Sequence, residues 1–167
     1  MESEEKQRNY ERAEGLLKEQ HFGVAVLSGT ITMILGSGLY AASALAVGGP
    51  SVSVMVVGIG AAIGLTMQYL GRGITARFVV AASFIAMIGF LVAKLFTIAL
   101  YTVKSEHTSP LDLLSTERVR AMWDWVLSGL HLLDLIFWIA AIGAAAFFSR
   151  RRLSHEEGLA MYTYERK

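Results

Sequence analysis

Residues 22–71 read FGVAVLSGTITMILGSGLYAASALAVGGPSVSVMVVGIGAAIGLTMQYLG, and not one of them is Asp, Glu, Lys or Arg. A hydrocarbon core about 30 Å thick is crossed by roughly 20 helical residues. The 50 uncharged residues are too many for one crossing and fit two, broken at Gly48-Gly49-Pro50-Ser51. Pro50 lacks a backbone donor there, and the glycines permit a tight reversal. The reading is a first span over 22–47 and a second over 51–70. Strands do not suit these segments. Backbone groups in lipid need internal partners, and each segment is far longer than a barrel strand.

Working outward, Gly71-Arg72-Gly73 with Arg77 makes a short polar turn, and a third span covers 78–103. A polar segment, 104–124, precedes a fourth span over 125–149, which stops against Arg150-Arg151-Arg152. The expected organisation is therefore a polar segment 1–21, a four-helix transmembrane domain 22–149 and a basic tail 150–167. The fold class is all-α, a transmembrane four-helix bundle with a short amphipathic helical segment between helices three and four. Of the 167 residues, 54% are apolar and 17% charged, with a mean hydropathy of +0.48. Soluble domains carry about 25% charged residues, so the balance argues against a water-soluble enzyme. A net charge of +1 argues against a nucleic-acid partner. The absence of cysteine removes disulfides and thiolate metal sites. Residues 1–21 hold Glu2, Glu4, Glu5, Glu11, Glu14 and Glu19, unlike a secretory signal or a mitochondrial presequence. The first span is thus expected to stay as an uncleaved anchor.

Lys and Arg distribute eleven to three across the expected membrane. Lys6, Arg8, Arg12, Lys18, Arg72, Arg77, Arg150, Arg151, Arg152, Arg166 and Lys167 lie on the side of the termini, against Lys104, Arg118 and Arg120. The positive-inside rule then places both termini in the cytoplasm, and Tyr101, Trp123 and Trp125 mark the opposite interface. In the outer segment, Ser109-Pro110-Leu111-Asp112 has the form of a helix start, and Ser115 or Thr116 offers a second cap. Two arrangements fit: short amphipathic helices on the membrane surface, or a helical extension of the fourth span. Ser3 to Gln20 reads as a solvated helix.

Helices in lipid associate through close backbone approach, which small residues allow. Gly58, Gly60 and Gly64 mark such a face on the second span, Gly38 with Ala42 on the first, and Ala82, Ala86, Gly89 and Ala93 on the third. Ala140, Ala141, Ala144 and Ala145 do so on the fourth. Packing within the chain is the expected use, and a homo-oligomer the alternative.

Three ionisable residues fall inside the expected spans: Lys94, His131 and Asp134. Asp134 stands about nine residues in from the outer end of its span and Lys94 about nine from the end of its own, which puts both roughly 14 Å deep. His131 would share the face of Asp134 one turn further out. Either Lys94 and Asp134 form a packing ion pair, or the three make a proton or ion relay. A structural pair predicts that exchanging the two residues restores folding. No metal site is expected, since His131 and Asp134, even with Glu106 and His107, fall short of a persuasive ligand set. Arg72, Arg77, Arg150, Arg151 and Arg152 are candidates for anionic lipid headgroups, or simply basic turn residues.

Three pieces resemble a family of small, uncharacterised four-pass membrane proteins of bacteria. Leu17-Lys18-Glu19-Gln20-His21-Phe22 resembles that family's Glu-Gln-x-Phe approach to its first helix. Gly58-Ile59-Gly60 through Gly64, followed by Gln68-Tyr69-x-Gly71-Arg72-Gly73, resembles its glycine-rich second helix and Gly-x-Gly turn. Leu133-Asp134-Leu135-Ile136-Phe137 resembles the Asp-Leu-Leu-Phe opening of its last helix. The chain departs from the family pattern at Gln68 or Tyr69, where the family has an arginine, and at Lys94, where it is glycine-rich. The resemblance implies this fold in a bacterial inner membrane and no activity. The combined expectation is a non-enzymatic scaffold or accessory subunit without cofactor. Its partners would be the bilayer and a larger membrane complex or further copies of itself. The rival is a small ion- or proton-conducting protein using Asp134, His131 and Lys94.

Overall fold

In lipid a segment must close its own backbone hydrogen bonds, so a helix is the form open to each apolar stretch. The computed structural model describes residues 2–47, 53–107, 109, 113 and 115–165. Among these the regular elements are seven α-helices and no strand: α1 (Glu2–Lys18), α2 (Phe22–Val47), α3 (Met55–Gly71), α4 (Ala76–Glu106), α5 (Thr116–Ser128), α6 (Leu132–Phe148) and α7 (His155–Glu165). Helices α2 and α4 are long and apolar enough to cross a membrane. Helices α3 and α6 are apolar and have 17 residues each, about 25 Å of helix. Helices α2, α3, α6 and α4 pack in that cyclic order, α1 pairs with α7, and α5 rests on α4.

The segment expected as a second span is helical from Met55 rather than Ser51, and the Gly48-Gly49-Pro50-Ser51 reversal lies outside the described residues, as do Pro110, Leu111 and Asp112. The third span runs past its expected end at 103 to Glu106. The fourth span requires the larger correction, because 125–149 is not one helix. Helix α5 stops at Ser128 and α6 starts at Leu132, their axes 96° apart. Two local causes produce the break. The Gly129 N–H closes α5 on the Trp125 carbonyl at 3.0 Å, and His131 is extended (φ −94°, ψ 157°) as the N-cap of α6. Trp125 and Val126 therefore belong to the amphipathic α5, which begins after an extended Ser115 (φ −63°, ψ 139°). The 150–167 tail likewise carries a helix, α7, which docks on α1. Ala13, Leu16 and Ala160 are buried there, Tyr10 and Tyr164 meet at 5.7 Å, and Arg12 pairs with Glu156 at 2.8 Å.

Each bundle helix buries one stripe of mostly small residues. On α4 it is Phe78, Ala82, Ile85, Ala86, Gly89, Phe90 and Ala93, and on α2 it is Ala25, Gly29, Met33, Ser37, Tyr40 and Ala41. The opposite faces are apolar and bare: Leu27, Leu35, Leu39, Val80, Ile139 and Phe147 are each more than 60% exposed. So extensive an apolar exterior calls for a non-aqueous surrounding. Hydroxyls on these helices donate into their own backbone, as Thr30 to Val26 (2.8 Å) and Thr97 to Ala93 (2.8 Å), which suits a medium without water. Two hydroxyls reach a neighbouring helix instead: Ser37 Oγ donates to the Gly89 carbonyl (3.1 Å), and Thr32 Oγ1 to Thr66 Oγ1 (3.3 Å).

Helices α3 and α6 approach backbone to backbone. A Cβ on Gly60 would fall on the carbonyl of Ala141, and one on Gly64 would lie 2.6 Å from the carbonyl of Ala145. These neighbours are backbone and cannot yield. At Gly89 the neighbour is the Met33 Cγ, at 2.8 Å, a side chain able to shift. Gly58 and Gly38, expected on packing faces, are not in contacts: a Cβ at either meets nothing within 4 Å. Gly58 sits two residues, about 200° of helix, from Gly60, on the other side of α3. Gly60→Val should therefore separate α3 from α6 and cost about 1–3 kcal/mol, while Gly58→Val should change stability little. Equilibrium unfolding in mixed micelles distinguishes the two.

Candidate functional site

Three elements meet at one carboxylate. Asp134 lies in the first turn of α6, where the unpaired N–H groups and helix dipole favour an anion. Lys94 follows the buried Ala93 on α4, at the edge of that helix's inner stripe. Ser53 stands in the turn just before α3. The Lys94 ammonium is 2.9 Å from Asp134 Oδ2, the Ser53 hydroxyl donates to Oδ1 at 3.1 Å, and the His131 backbone N–H reaches Oδ2 at 3.4 Å. Only 7% of the Asp134 side chain and 21% of the Lys94 side chain are exposed, so this is a pair withdrawn from solvent.

Aromatic rings close one side of the pair. Lys94 Nζ lies 5.6 Å from the centre of the Phe90 ring, close enough for a cation–π contact. Phe90 stacks on Trp138 of α6 (5.0 Å between centres, 21° between planes), and the indole N–H donates to the Met87 carbonyl of α4 at 3.2 Å. The arrangement holds one fixed charge against another.

The inferred depths need correction. Asp134 is not nine residues inside its helix but in the first turn, and Lys94 lies twelve residues before the end of α4. The two meet because α4 extends well beyond the start of α6, alongside α5. His131 does not share a helical face with Asp134 either. It is an exposed, extended N-cap and engages the carboxylate through its backbone N–H. Sequence reasoning passed over Ser53 and Trp138. The break itself had a signal: Ser128-Gly129 is a helix stop, and an acid three residues after His131 is a helix start. Nothing in the sequence linked Ser53 to Asp134, 81 positions away.

The arginine candidates separate into two groups. Arg72, left-handed at the C-cap of α3 (φ 49°), pairs with Glu19 at 2.8 Å. Arg77 donates to Thr75 Oγ1 at 3.0 Å and lies over the rings of Phe22 and Phe78, at 5.5 and 5.8 Å. Arg151 pairs with Glu157 at 3.0 Å, and its backbone N–H donates to the Gly73 carbonyl at 2.9 Å. These three are engaged in or against the turn between α3 and α4. That turn also accepts the His21 N–H on the Gly71 carbonyl (3.1 Å), and the Thr75 hydroxyl donates to Gln20 (3.0 Å). Arg150 and Arg152 are exposed and have no ion-pair partner among the described residues. Glu106 and His107 do not join the cluster: Glu106 pairs with Arg118 at 3.3 Å, and His107 caps α4 with φ 51°. Among the described residues no three His, Asp or Glu converge on a point.

The geometry alters what exchanging the charges should do. Asp134→Lys would set an ammonium against the Ser53 hydroxyl, the His131 N–H and the positive end of α6, so the Lys94→Asp/Asp134→Lys pair should not restore stability. Asp134→Ala alone strands a buried lysine and should cost about 3–5 kcal/mol. The apolar pair Lys94→Met/Asp134→Leu should recover much of that loss. Unfolding free energies of the four proteins in micelles check this order.

No family model, curated protein or solved structure matches the chain.

Proposed function

We propose that this chain is a non-enzymatic, four-pass protein of a bacterial inner membrane, both termini cytoplasmic, serving as a scaffold or accessory subunit of a membrane assembly. The observation that carries the reading is the closure of the Lys94–Asp134 pair on Ser53 and the α6 N-terminus, the geometry of a structural tie. The bare apolar faces of α2 and α6 support lipid exposure on both. At 17 residues, α3 and α6 reach the lower limit for crossing. The arginines near α1 and α7, and the exposed Tyr101, Trp123 and Trp125 at the far end, support the orientation. The resemblance to small four-pass bacterial proteins agrees with the same placement.

An accessory role draws support from a second feature. Thr32, Leu35, Gly36, Leu39, Gly58 and Ala62 line an outward groove of about 450 Å³ between α2 and α3. With Gly58 unfilled at its wall, another helix has room for the close approach that membrane contacts require.

Extraction in mild detergent at native expression level, with identification of co-migrating chains, tests the role. A stoichiometric companion lost in Gly58→Leu, with the melting temperature unchanged, is the expected result. Ion or proton flux in proteoliposomes above that of empty vesicles, abolished in well-folded Asp134→Asn, would overturn the reading in favour of conduction.

A further inference from the structure

The end of the bundle that carries α1 and α7 holds a second groove, of about 830 Å³, between α3, the start of α4 and the end of α6. That volume lies within the range of about 300–1,000 Å³ typical of ligand sites. Its walls are of two kinds. Leu65, Gly143 and Phe147 make an apolar trough, while Gln68, Tyr69, Arg150 and Arg152 stand around its mouth. Gly143 lies five residues before the end of α6, so the trough descends about 7 Å below the arginines. Gly143 is exposed, and a Cβ there would meet nothing within 4 Å, which leaves the trough open along its length.

We infer that this groove holds one anionic phospholipid, its phosphate between Arg150 and Arg152 and an acyl chain along Gly143 and Phe147. The inference rests on the proposed membrane placement and deepens it by naming the lipid. Charge decides the class of occupant. Of the arginines in the turn after α3, at the start of α4 and just after α6, three are already committed: Arg72 to Glu19, Arg77 to Thr75 and two rings, and Arg151 to Glu157. Arg150, Arg151 and Arg152 all line the groove, and Arg150 and Arg152 are the two of them that make no ion pair among the described residues. A guanidinium is a planar donor suited to phosphate oxygens. Gln68 and the exposed Tyr69 add neutral polar groups at the level of a glycerol backbone. A free phosphate would satisfy the arginines but leave the apolar trough without a function. A neutral lipid would fill the trough without engaging both charges.

The test reconstitutes the full chain in nanodiscs of phosphatidylcholine and phosphatidylglycerol in equal amounts, then counts lipids retained after transfer to detergent by native mass spectrometry. Wild type should keep one phosphatidylglycerol in preference to phosphatidylcholine, and inorganic phosphate should not displace it. Arg150→Gln/Arg152→Gln should weaken retention about thirtyfold, the combined effect of two headgroup-level arginines. Because removing those charges also bears on topology, Gly143→Leu provides a second variant, which obstructs the trough with every arginine intact. It too should lose the lipid, with helicity and melting unchanged. Equal retention of both lipids, displacement by phosphate, or wild-type retention in either variant would overturn the inference. A chain that stays in solution without detergent would instead overturn the membrane reading beneath it.

Discussion

A carboxylate placed in the first turn of a helix whose surroundings are apolar has to find its donors locally. Asp134 meets that requirement with the ammonium of Lys94, the hydroxyl of Ser53 and the backbone N–H of His131. Each donor belongs to a different element. The single acid therefore fixes the start of α6 against α4 and against the turn that leads into α3. Burial of apolar surface does not join helices in lipid, so a buried charge whose partners sit on neighbouring helices has more influence on register here than it would in a soluble core. Removing either partner leaves an uncompensated charge, the costly state for any buried pair. Phe90 and Trp138 stack beside the pair and tie α4 to α6 a turn further along.

At the other end of the bundle, connection depends on backbone rather than charge. The carbonyls of Gly71 and Gly73 accept the N–H groups of His21 and Arg151, so the turn after α3 joins the entrance of α2 to the exit of α6. Glycine at both positions has a steric reason. A Cβ on Gly71 would collide with that of Ala25, and one on Gly73 with the ring of Phe78. Between the two ends, Gly60 and Gly64 let α3 lie directly on the backbone of α6. The bundle is thus held at its ends by polar ties and in its middle by contact so close that only hydrogen fits at two positions.

Some of this was legible in the residues. The uncharged run from 22 to 71 required apolar helices, of which α2 is long enough to cross a membrane and α3, at 17 residues, is shorter. Ala82, Ala86, Gly89 and Ala93 repeat at helical spacing, so their common face could be read before any neighbour was known. The joining of Lys94 to Asp134 was anticipated as one of two readings, although the depth argument behind it was wrong. That argument assumed a continuous fourth helix. Trp125 to Leu130 is uncharged and mostly apolar, so composition hid a break set by two local hydrogen bonds at Gly129 and His131. The glycines of α3 show the same limit. Gly58, Gly60 and Gly64 are one kind of residue, yet Gly58 faces outward while the other two touch Ala141 and Ala145.

The sequence by itself determined the all-helical form, the apolar character of its long helices and the positions where charge is scarce, because these come from hydrophobicity and backbone hydrogen bonding, which act locally. Only the tertiary structure decided which small residues meet backbone, that α1 and α7 pair, that Ser53 reaches Asp134, and which arginines are engaged. Those outcomes depend on the relative rotation and axial shift of helices far apart in the chain. A helical repeat states which residues share a face, and leaves open which neighbour that face will meet.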